Sequence, residues 1–222
     1  MRFAQFLGGR IGAVPGAEGT CPCCGASLIA RCGALNVWHW AHKGRRNCDP
    51  WWEPETEWHR AWKSEFPDDW TEVLEISDDG ERHIADVKTP YGVVIEFQHS
   101  GIQDTERRAR ERFYGDMIWV VDGKRLKRDH ATFLDGMGLN KRKVDGIDHY
   151  VFSGAARQIT KRWASSKKLV VLDFGEDEMW CISPHKVNWQ FFAKTISKRE
   201  FVDAYSVGRI PHVAHFLMSP KA

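Results

Sequence analysis

The sequence lacks several features that would assign it to a specialised class of protein. No run approaches the roughly 18 consecutive apolar residues of a membrane-spanning helix, and the first residues lack the continuous apolar stretch of a signal peptide. No repeat or low-complexity tract occurs. The net charge is only +2 over 222 residues, so the total charge gives no argument for a nucleic-acid partner. We expect a cytoplasmic protein that does not enter a membrane.

The distribution of charge is more informative than its sum. Basic pairs and runs recur along the chain, and they are equally well explained as phosphate-binding patches, if they share a face, or as solvated surface. They are Arg45-Arg46, Arg107-Arg108, Lys124-Arg125, Lys127-Arg128, Lys141-Arg142-Lys143, Lys161-Arg162 and Lys167-Lys168.

The composition predicts a folded chain of three segments. Hydrophobic residues make up 42% of it and eleven residues are Trp, far from the composition of disordered sequences. Residues 1–50 are rich in Gly, Cys and His, which predicts a small module organised by a metal. Residues 51–128 carry the clearest helix and strand patterns, and residues 129–222 read as an α/β extension of the same body.

Cysteine is concentrated near the start of the chain. Five of the six cysteines fall within 28 residues, which favours a metal site over a disulfide framework. Cys21 and Cys24 form a C-x2-C knuckle that can hold one tetrahedral Zn²⁺. His39, His42 and Cys48 compete for the two remaining positions, and we favour His42 and Cys48 with His39 as the substitute. The site would be structural; Cys23 and Cys32 are bystanders or alternative ligands, and buried free thiols are the other interpretation.

The middle segment reads in the order helix, hairpin, helix, strand. ETEWHRAWKSEF predicts a helix that Pro67 ends, and two strand-like runs, HIADVKT and VVIEFQH, are joined by the turn TPYG. A charged helix, DTERRARERFYG, and an apolar strand, MIWVVDG, follow. In the last segment we expect a helix around AARQITKRWA and strands at KLVVLDFG and EMWCIS.

Polar side chains share one face of the predicted hairpin. Side chains alternate along a strand, so Asp86 lies on one face of the first strand, and Glu96 and Gln98 share one face of the second. An antiparallel pairing would bring Asp86 close to Glu96, and paired carboxylates suit a hard cation such as Mg²⁺. Taken alone, this spacing favours an ordinary hairpin with exposed acids.

The helix before the hairpin adds a second polar stripe. Glu55, His59 and Lys63 lie at i, i+4 and i+8, opposite much of the Trp58/Trp62 face. A carboxylate, an imidazole and an ammonium would then overlook the same cleft.

The motifs, taken in their order along the chain, resemble the competence protein CoiA-like family. This resemblance favours a metal-binding site over an ordinary hairpin with exposed acids. CPCCG, WHWAHK and NCD match the family's zinc-binding pattern, and ETEWHRAWK, IADV, VVIEFQHS and RARERFY match its nuclease domain. The resemblance covers about residues 21 to 122. It implies an α/β (α+β) fold with a restriction-endonuclease-like PD-(D/E)XK core, a mixed sheet flanked by helices, behind an N-terminal zinc-binding module.

The resemblance also implies a mechanism for hydrolysis of DNA phosphodiesters. Asp86 and Glu96 would hold Mg²⁺ or Mn²⁺, with the backbone carbonyl of Phe97 as a third ligand. Glu55 would bind a second metal or orient a water, and His59 or Lys63 would contact the scissile phosphate. Gln98, where the superfamily more often has Lys, would position the nucleophile by hydrogen bonding. The group that replaces this lysine is expected among Lys63, Lys88 and His59. Arg110 and Tyr114, on the helix after the second strand, would steady the site or contact the DNA backbone, or form an ordinary helix surface.

The expected partner is therefore DNA, single-stranded, duplex or branched, in uptake, recombination, repair or defence. A homodimer is compatible with the sequence. The alternative is a catalytically inactive zinc-containing nucleic-acid-binding protein that recruits other factors, and Gln98 is the residue that keeps this alternative open.

Overall fold

A computed structural model describes residues 1–44, 48–137, 141–144, 147–153, 158–187 and 190–209. The chain divides into two compact units, Met1–Lys88 and Thr89–Ala222. Arg45 and Arg46, and the start of the helix predicted around residues 155–164, lie outside the described residues. Within the described part of the chain, no helix combines the length and apolar character needed to cross a membrane.

The first unit begins with a five-stranded antiparallel sheet in the order β2-β1-β3-β4-β5. Leu7 and Gly8 join the first two strands with φ values of 45° and 83°, as a tight two-residue hairpin turn requires. The sequence predicts a module here but no sheet, because these strands are short. They are β1 (Phe3–Phe6), β2 (Gly9–Gly12), β3 (Glu18–Thr20), β4 (Ser27–Arg31) and β5 (His39–His42).

A short helix and a hairpin complete the first unit. Helix α1 (Glu57–Lys63) starts at Thr56, whose hydroxyl accepts the His59 N–H at 3.3 Å while the His59 ring reaches back to the Thr56 N–H. This reciprocal cap satisfies two donors that a helix start leaves open, so the helix begins two residues later than predicted. Strands β6 (Thr71–Ile76) and β7 (Arg82–Lys88) then pair antiparallel.

The second unit is built on a mixed sheet. Its strands run in the order β10-β11-β14-β13-β12-β9-β8, with β9 parallel to both β8 and β12 and the other pairs antiparallel. Strands β8, β9 and β12 are almost entirely buried, as expected for parallel strands covered on both faces. The strands are β8 (Val94–Gln98), β9 (Met117–Asp122), β10 (Lys141–Val144), β11 (Ile147–Ser153), β12 (Leu169–Asp173), β13 (Glu178–Val187) and β14 (Gln190–Ser197).

Helices flank this sheet. Trp119 of β9 donates its indole N–H to Glu111 at 3.2 Å and packs its ring 5.3 Å from that of Trp163. Tyr205 is buried near Cys181, which strand alternation places on the opposite face from Trp180. The helices are α2 (Asp104–Tyr114), α3 (Asp129–Met137), α4 (Gln158–Trp163) and α5 (Lys198–Ser206).

The fold class is confirmed in its coarser form, a mixed α and β chain with a mixed sheet flanked by helices. The predicted bounds 1–50, 51–128 and 129–222 and the PD-(D/E)XK core stay predictions. Asp86 belongs to the first unit and Glu96 to the second, and their predicted closeness also stays a prediction.

Candidate metal centre and carboxylate site

The four residues that the sequence favours as zinc ligands lie together in the first unit. The ligand atoms of Cys21, Cys24, His42 and Cys48 all lie within 4.8 Å of one another. The two sulfurs of Cys21 and Cys48 are 3.6 Å apart, and the Cys24 sulfur is 3.4 Å from His42 Nε2. Zinc bonds of about 2.0 to 2.3 Å in a tetrahedron place neighbouring ligand atoms about 3.5 to 3.8 Å apart. The donor set and its spacing therefore fit a four-coordinate zinc ion.

Strand geometry explains why His42 joins this cluster and His39 does not. The two histidines are three residues apart on β5, so their side chains point to opposite faces. His39 Nδ1 instead lies 2.8 Å from the Val37 carbonyl oxygen. Trp40 shares the face of His42 and is buried, donating its indole N–H to the Ile11 carbonyl at 3.0 Å.

The cysteines of the cluster differ in their acidity when no ion is bound. Burial raises the pKa of Cys21 to about 12 and that of Cys48 to about 11. Burial acts in the same direction on Cys24, but hydrogen bonds from the Ala26 backbone and from Cys21 outweigh it, so its pKa is lowered. Zinc binding would have to displace the protons of Cys21 and Cys48.

Two further cysteines and several aromatic residues lie near the cluster, and they differ in how far they are buried. Cys23 is buried in the small apolar core beside the cluster, and Cys32 is half-buried. Trp51 stacks on the ring of His83, with ring centroids 3.2 Å apart. Trp38 and Trp52 are nearly half exposed, whereas Trp40 is buried.

Asp49, next to the cluster residue Cys48, joins the module to strand β7. Its carboxylate lies 2.8 Å from His83 Nδ1 and accepts the Ile84 N–H at 2.9 Å and the Trp51 N–H at 2.9 Å. Although burial acts to raise it, these hydrogen bonds lower the pKa of Asp49. Asp49 therefore fixes β7, the strand that carries Asp86, to the chain segment directly after the candidate zinc ligand Cys48.

Three carboxylates of the first unit converge on the ammonium of Lys63. Its Nζ lies 2.9 Å from Asp86, 3.1 Å from Glu72 and 3.8 Å from Glu55. The Lys63, Glu72 and Glu55 side chains are buried, and that of Asp86 is 21% exposed. The expected neighbourhood of Glu55, Lys63 and Asp86 is therefore present, and we call this group with Glu72 the Lys63 cluster.

The charges of the Lys63 cluster stabilise one another. Burial acts to lower the pKa of Lys63, but the negative charges of Asp86, Glu72 and Glu55 outweigh it and hold that pKa well above its ordinary value. Burial also acts to raise the pKa of Glu72, but the positive charge of Lys63 lowers it to about 2. At neutral pH, Lys63 is therefore a cation beside an ionised Glu72.

Glu72 is the member of the cluster that no pattern in the sequence predicted. It accepts the backbone N–H groups of Arg2 at 2.6 Å and Phe3 at 3.0 Å. Its φ of 49° lies in the left-handed region, which is unfavourable for a residue with a Cβ. The available signal was an acid on the face of TEVLEI shared with Leu74 and Ile76, where strand alternation predicts an apolar residue.

The ring of His59 contacts polar groups at the start of its own helix. Its Nδ1 is 2.9 Å from the Thr56 hydroxyl, and its Nε2 is 3.5 Å from a Glu53 carboxylate oxygen. Lys88 pairs with Glu75. Of the three residues proposed to replace the missing lysine, Lys63 is the one whose ammonium lies at hydrogen-bond distance from Asp86.

In the second unit, Glu96 and Gln98 are buried on β8. Arg110 of α2 lies 3.0 Å from a Glu96 oxygen and donates to Glu106 at 3.1 Å. The amide nitrogen of Gln98 donates to the Ser100 carbonyl at 3.2 Å. Arg110 of α2 therefore contacts the Glu96 carboxylate in a buried ion pair. Its proposed roles, to steady the site or to contact the DNA backbone, stay predictions.

Phe97 and Tyr114 occupy ordinary packing positions. Phe97 is buried within β8, and Tyr114 is half-buried with its ring 5.1 Å from that of Phe113. Their predicted roles, the Phe97 carbonyl as a metal ligand and Tyr114 as a DNA contact, stay predictions.

The first part of the chain matches a known family. Residues 18–50 match the model of the competence protein CoiA N-terminal domain. This match supports the resemblance of the chain to the CoiA-like family. All four residues of the Cys/His cluster lie inside this CoiA segment, whereas Lys63, Asp86 and Glu96 lie outside it. No curated protein and no solved structure matches the chain.

Proposed function

We propose that this chain is a metal-dependent nuclease that hydrolyses DNA phosphodiesters, with a structural zinc ion on Cys21, Cys24, His42 and Cys48. The observation that carries the proposal is the Lys63 ammonium 2.9 Å from Asp86 in a buried cluster of acids. Gln98 cannot supply the positive charge that a lysine would supply at its position. Lys63 offers that charge from helix α1 instead.

The residues of the Lys63 cluster suit the needs of phosphodiester hydrolysis. Asp86 and Glu72 offer the carboxylate oxygens that Mg²⁺ and Mn²⁺ prefer, and Asp86 is the more exposed of the two. A bound Mg²⁺ would supply Lewis-acid stabilisation of charge on the phosphoryl oxygens. Lys63 keeps its proton and would hold a phosphate oxygen or a water by hydrogen bonding. Glu55 accepts from Arg60 at 3.0 Å and would orient Lys63. Glu96 keeps its proposed role as a ligand of the metal ion, and Gln98 keeps its proposed role of positioning the attacking water.

The second candidate is a nucleic-acid-binding protein without catalysis. It is favoured by a specific observation, that each of the two predicted metal-binding acids already contacts a buried cation. Lys63 lies 2.9 Å from Asp86, and Arg110 lies 3.0 Å from Glu96. Such internal cations compete with a metal ion for the same oxygens.

Cleavage assays on Asp86 variants separate the two candidates. Labelled single-stranded, duplex and flapped DNA should be cut with Mg²⁺ or Mn²⁺ and left intact with EDTA. Asp86→Ala should lower the rate by about 100-fold or more, since a bound cation contributes several kcal/mol to charge stabilisation. Asp78→Ala, an exposed acid in the loop before β7, should cut at the wild-type rate.

Two results would count against the nuclease. Equal cutting by Asp86→Ala and the wild-type chain would remove Asp86 from the mechanism. A wild-type chain that retards DNA in a gel but leaves it uncut under every metal condition would establish the binding protein instead.

A further inference from the structure

The carboxyl ends of three parallel strands in the second unit form a recess that the proposed nuclease chemistry does not use. Strands β8, β9 and β12 end side by side, so the residues after them meet at one edge of the sheet. His99 follows β8, and Asp122 ends β9. Both line this recess, together with Arg125 and Arg162.

The polar groups of the recess are held in place. His99 Nδ1 lies 2.7 Å from one oxygen of Asp122, whose other oxygen accepts the Lys124 N–H at 2.8 Å. Asp122 therefore fixes the His99 ring with its Nε2 edge directed away from the carboxylate. Arg162, which also lines the recess, forms an ion pair with the buried Asp129, and this pair holds its guanidinium in place.

Arg125 provides the exposed positive charge at the mouth. It lies against the backbone of Gly101, where an added Cβ would be 3.9 Å from its Nη2. Lys124, Lys127 and Arg128 are exposed in the same loop between β9 and α3. Two acids and two arginines line the recess, and the flanking basic loop gives its rim a net positive charge.

We propose that the rim of this recess binds a phosphate group of a nucleic-acid strand, with Arg125, Arg162 and His99 as the contacts. The recess has a volume of only about 30 Å³, enough for a water molecule. A phosphate therefore lies at the mouth, where the fork of Arg125 can bind two of its oxygens. The structure brings Arg125 and Arg162, one residue from each of two basic pairs in the sequence, to one site. The proposal rests on the nucleic-acid partner of the proposed function but not on cleavage.

The test is binding of a fluorescent single-stranded DNA 20-mer, measured by anisotropy at several salt concentrations without divalent metal. Arg125→Ala should weaken binding about tenfold, as expected for loss of one charged hydrogen-bonding contact. It should also flatten the dependence of log K on log salt by about 0.7, the value for one phosphate on a single strand. Arg162→Lys keeps the charge beside Asp129 and should weaken binding less.

Arg199→Ala is the matched control, since Arg199 is an exposed arginine of the same unit on α5. A second arm titrates inorganic phosphate and follows the His99 ring signals by NMR, which should move in the wild-type chain and stay fixed in Arg125→Ala.

Each other outcome has a defined meaning. Equal losses in Arg125→Ala and Arg199→Ala, or no DNA binding by the wild-type chain, overturn the proposal. Phosphate shifts at His99 with DNA affinity independent of Arg125 overturn it in favour of a small phosphate compound. DNA binding that depends on Arg125, without any Mg²⁺- or Mn²⁺-dependent cleavage, would support the phosphate site at the recess and contradict the proposed nuclease activity.

Discussion

A Cys21→Ser variant is expected to lose its zinc and, with it, the five-stranded sheet of β1 to β5. The buried apolar cluster beside the metal centre is small: Ala4, Cys21, Cys23, Leu28 and Trp40. So small a core cannot hold a sheet of short strands by itself. A structural zinc ion contributes about 10 to 16 kcal/mol in small zinc domains at neutral pH, more than the whole stability of a typical domain.

The measurement combines zinc content per chain with amide hydrogen exchange across β3 and β4. The wild-type chain, purified without chelator, should hold one zinc ion and protect these strands, and Cys21→Ser should do neither. Cys32→Ser is the control, because Cys32 lies outside the cluster. Wild-type protein without zinc, or a Cys21→Ser sheet that stays protected, would contradict the structural role of the metal.

A Lys63→Met variant is expected to lose about 3 to 5 kcal/mol of unfolding free energy at neutral pH, because buried acids would lose their cation. The measurement is urea denaturation. Lys88→Met is the control, since the Lys88–Glu75 pair is partly exposed and such pairs contribute at most about 1 kcal/mol. A loss as small as that of the control would show that the Lys63 cluster is not stabilising.

The Lys63→Met variant should also change how the free energy of unfolding depends on pH. In the wild-type fold the pKa of Glu72 is lowered from 4.5 to about 2. A carboxyl with a depressed folded pKa stabilises the fold above its unfolded pKa, and this contribution is lost as the pH falls from about 4.5 towards 2. Lys63→Met removes the main opposing charge, so its stability should fall less, or rise, over that range. Parallel pH profiles for the two proteins would contradict this assignment.

The sequence was most informative where a local rule determines the outcome. The C-x2-C spacing was sufficient to select Cys21 and Cys24. The reason for His42 over His39 is alternation along β5, a strand that the sequence did not predict. The strands β7, β8 and β9 and helix α2 follow from their hydrophobic patterns, and their bounds agree with the prediction to within one or two residues.

The features that the sequence did not predict depend on contacts between residues that are far apart in the chain. The cap formed by Thr56 and His59 removes Glu55 from the helix, so the predicted i, i+4, i+8 stripe does not exist as a helix face. Glu55 still reaches Lys63, but through the fold of the chain and not through helical spacing. Glu72 binds the N–H groups of residues about 70 positions away, a contact that no local pattern contains.

Asp49 gives the first unit a property that neither the metal centre nor the Lys63 cluster would have alone. It follows Cys48 directly and holds the Ile84 N–H of the strand that carries Asp86. Local opening of the metal-binding loop would therefore release a hydrogen bond of that strand in the same event. The two regions should unfold as one cooperative segment, with amides of β4 and β7 exchanging at a common free energy.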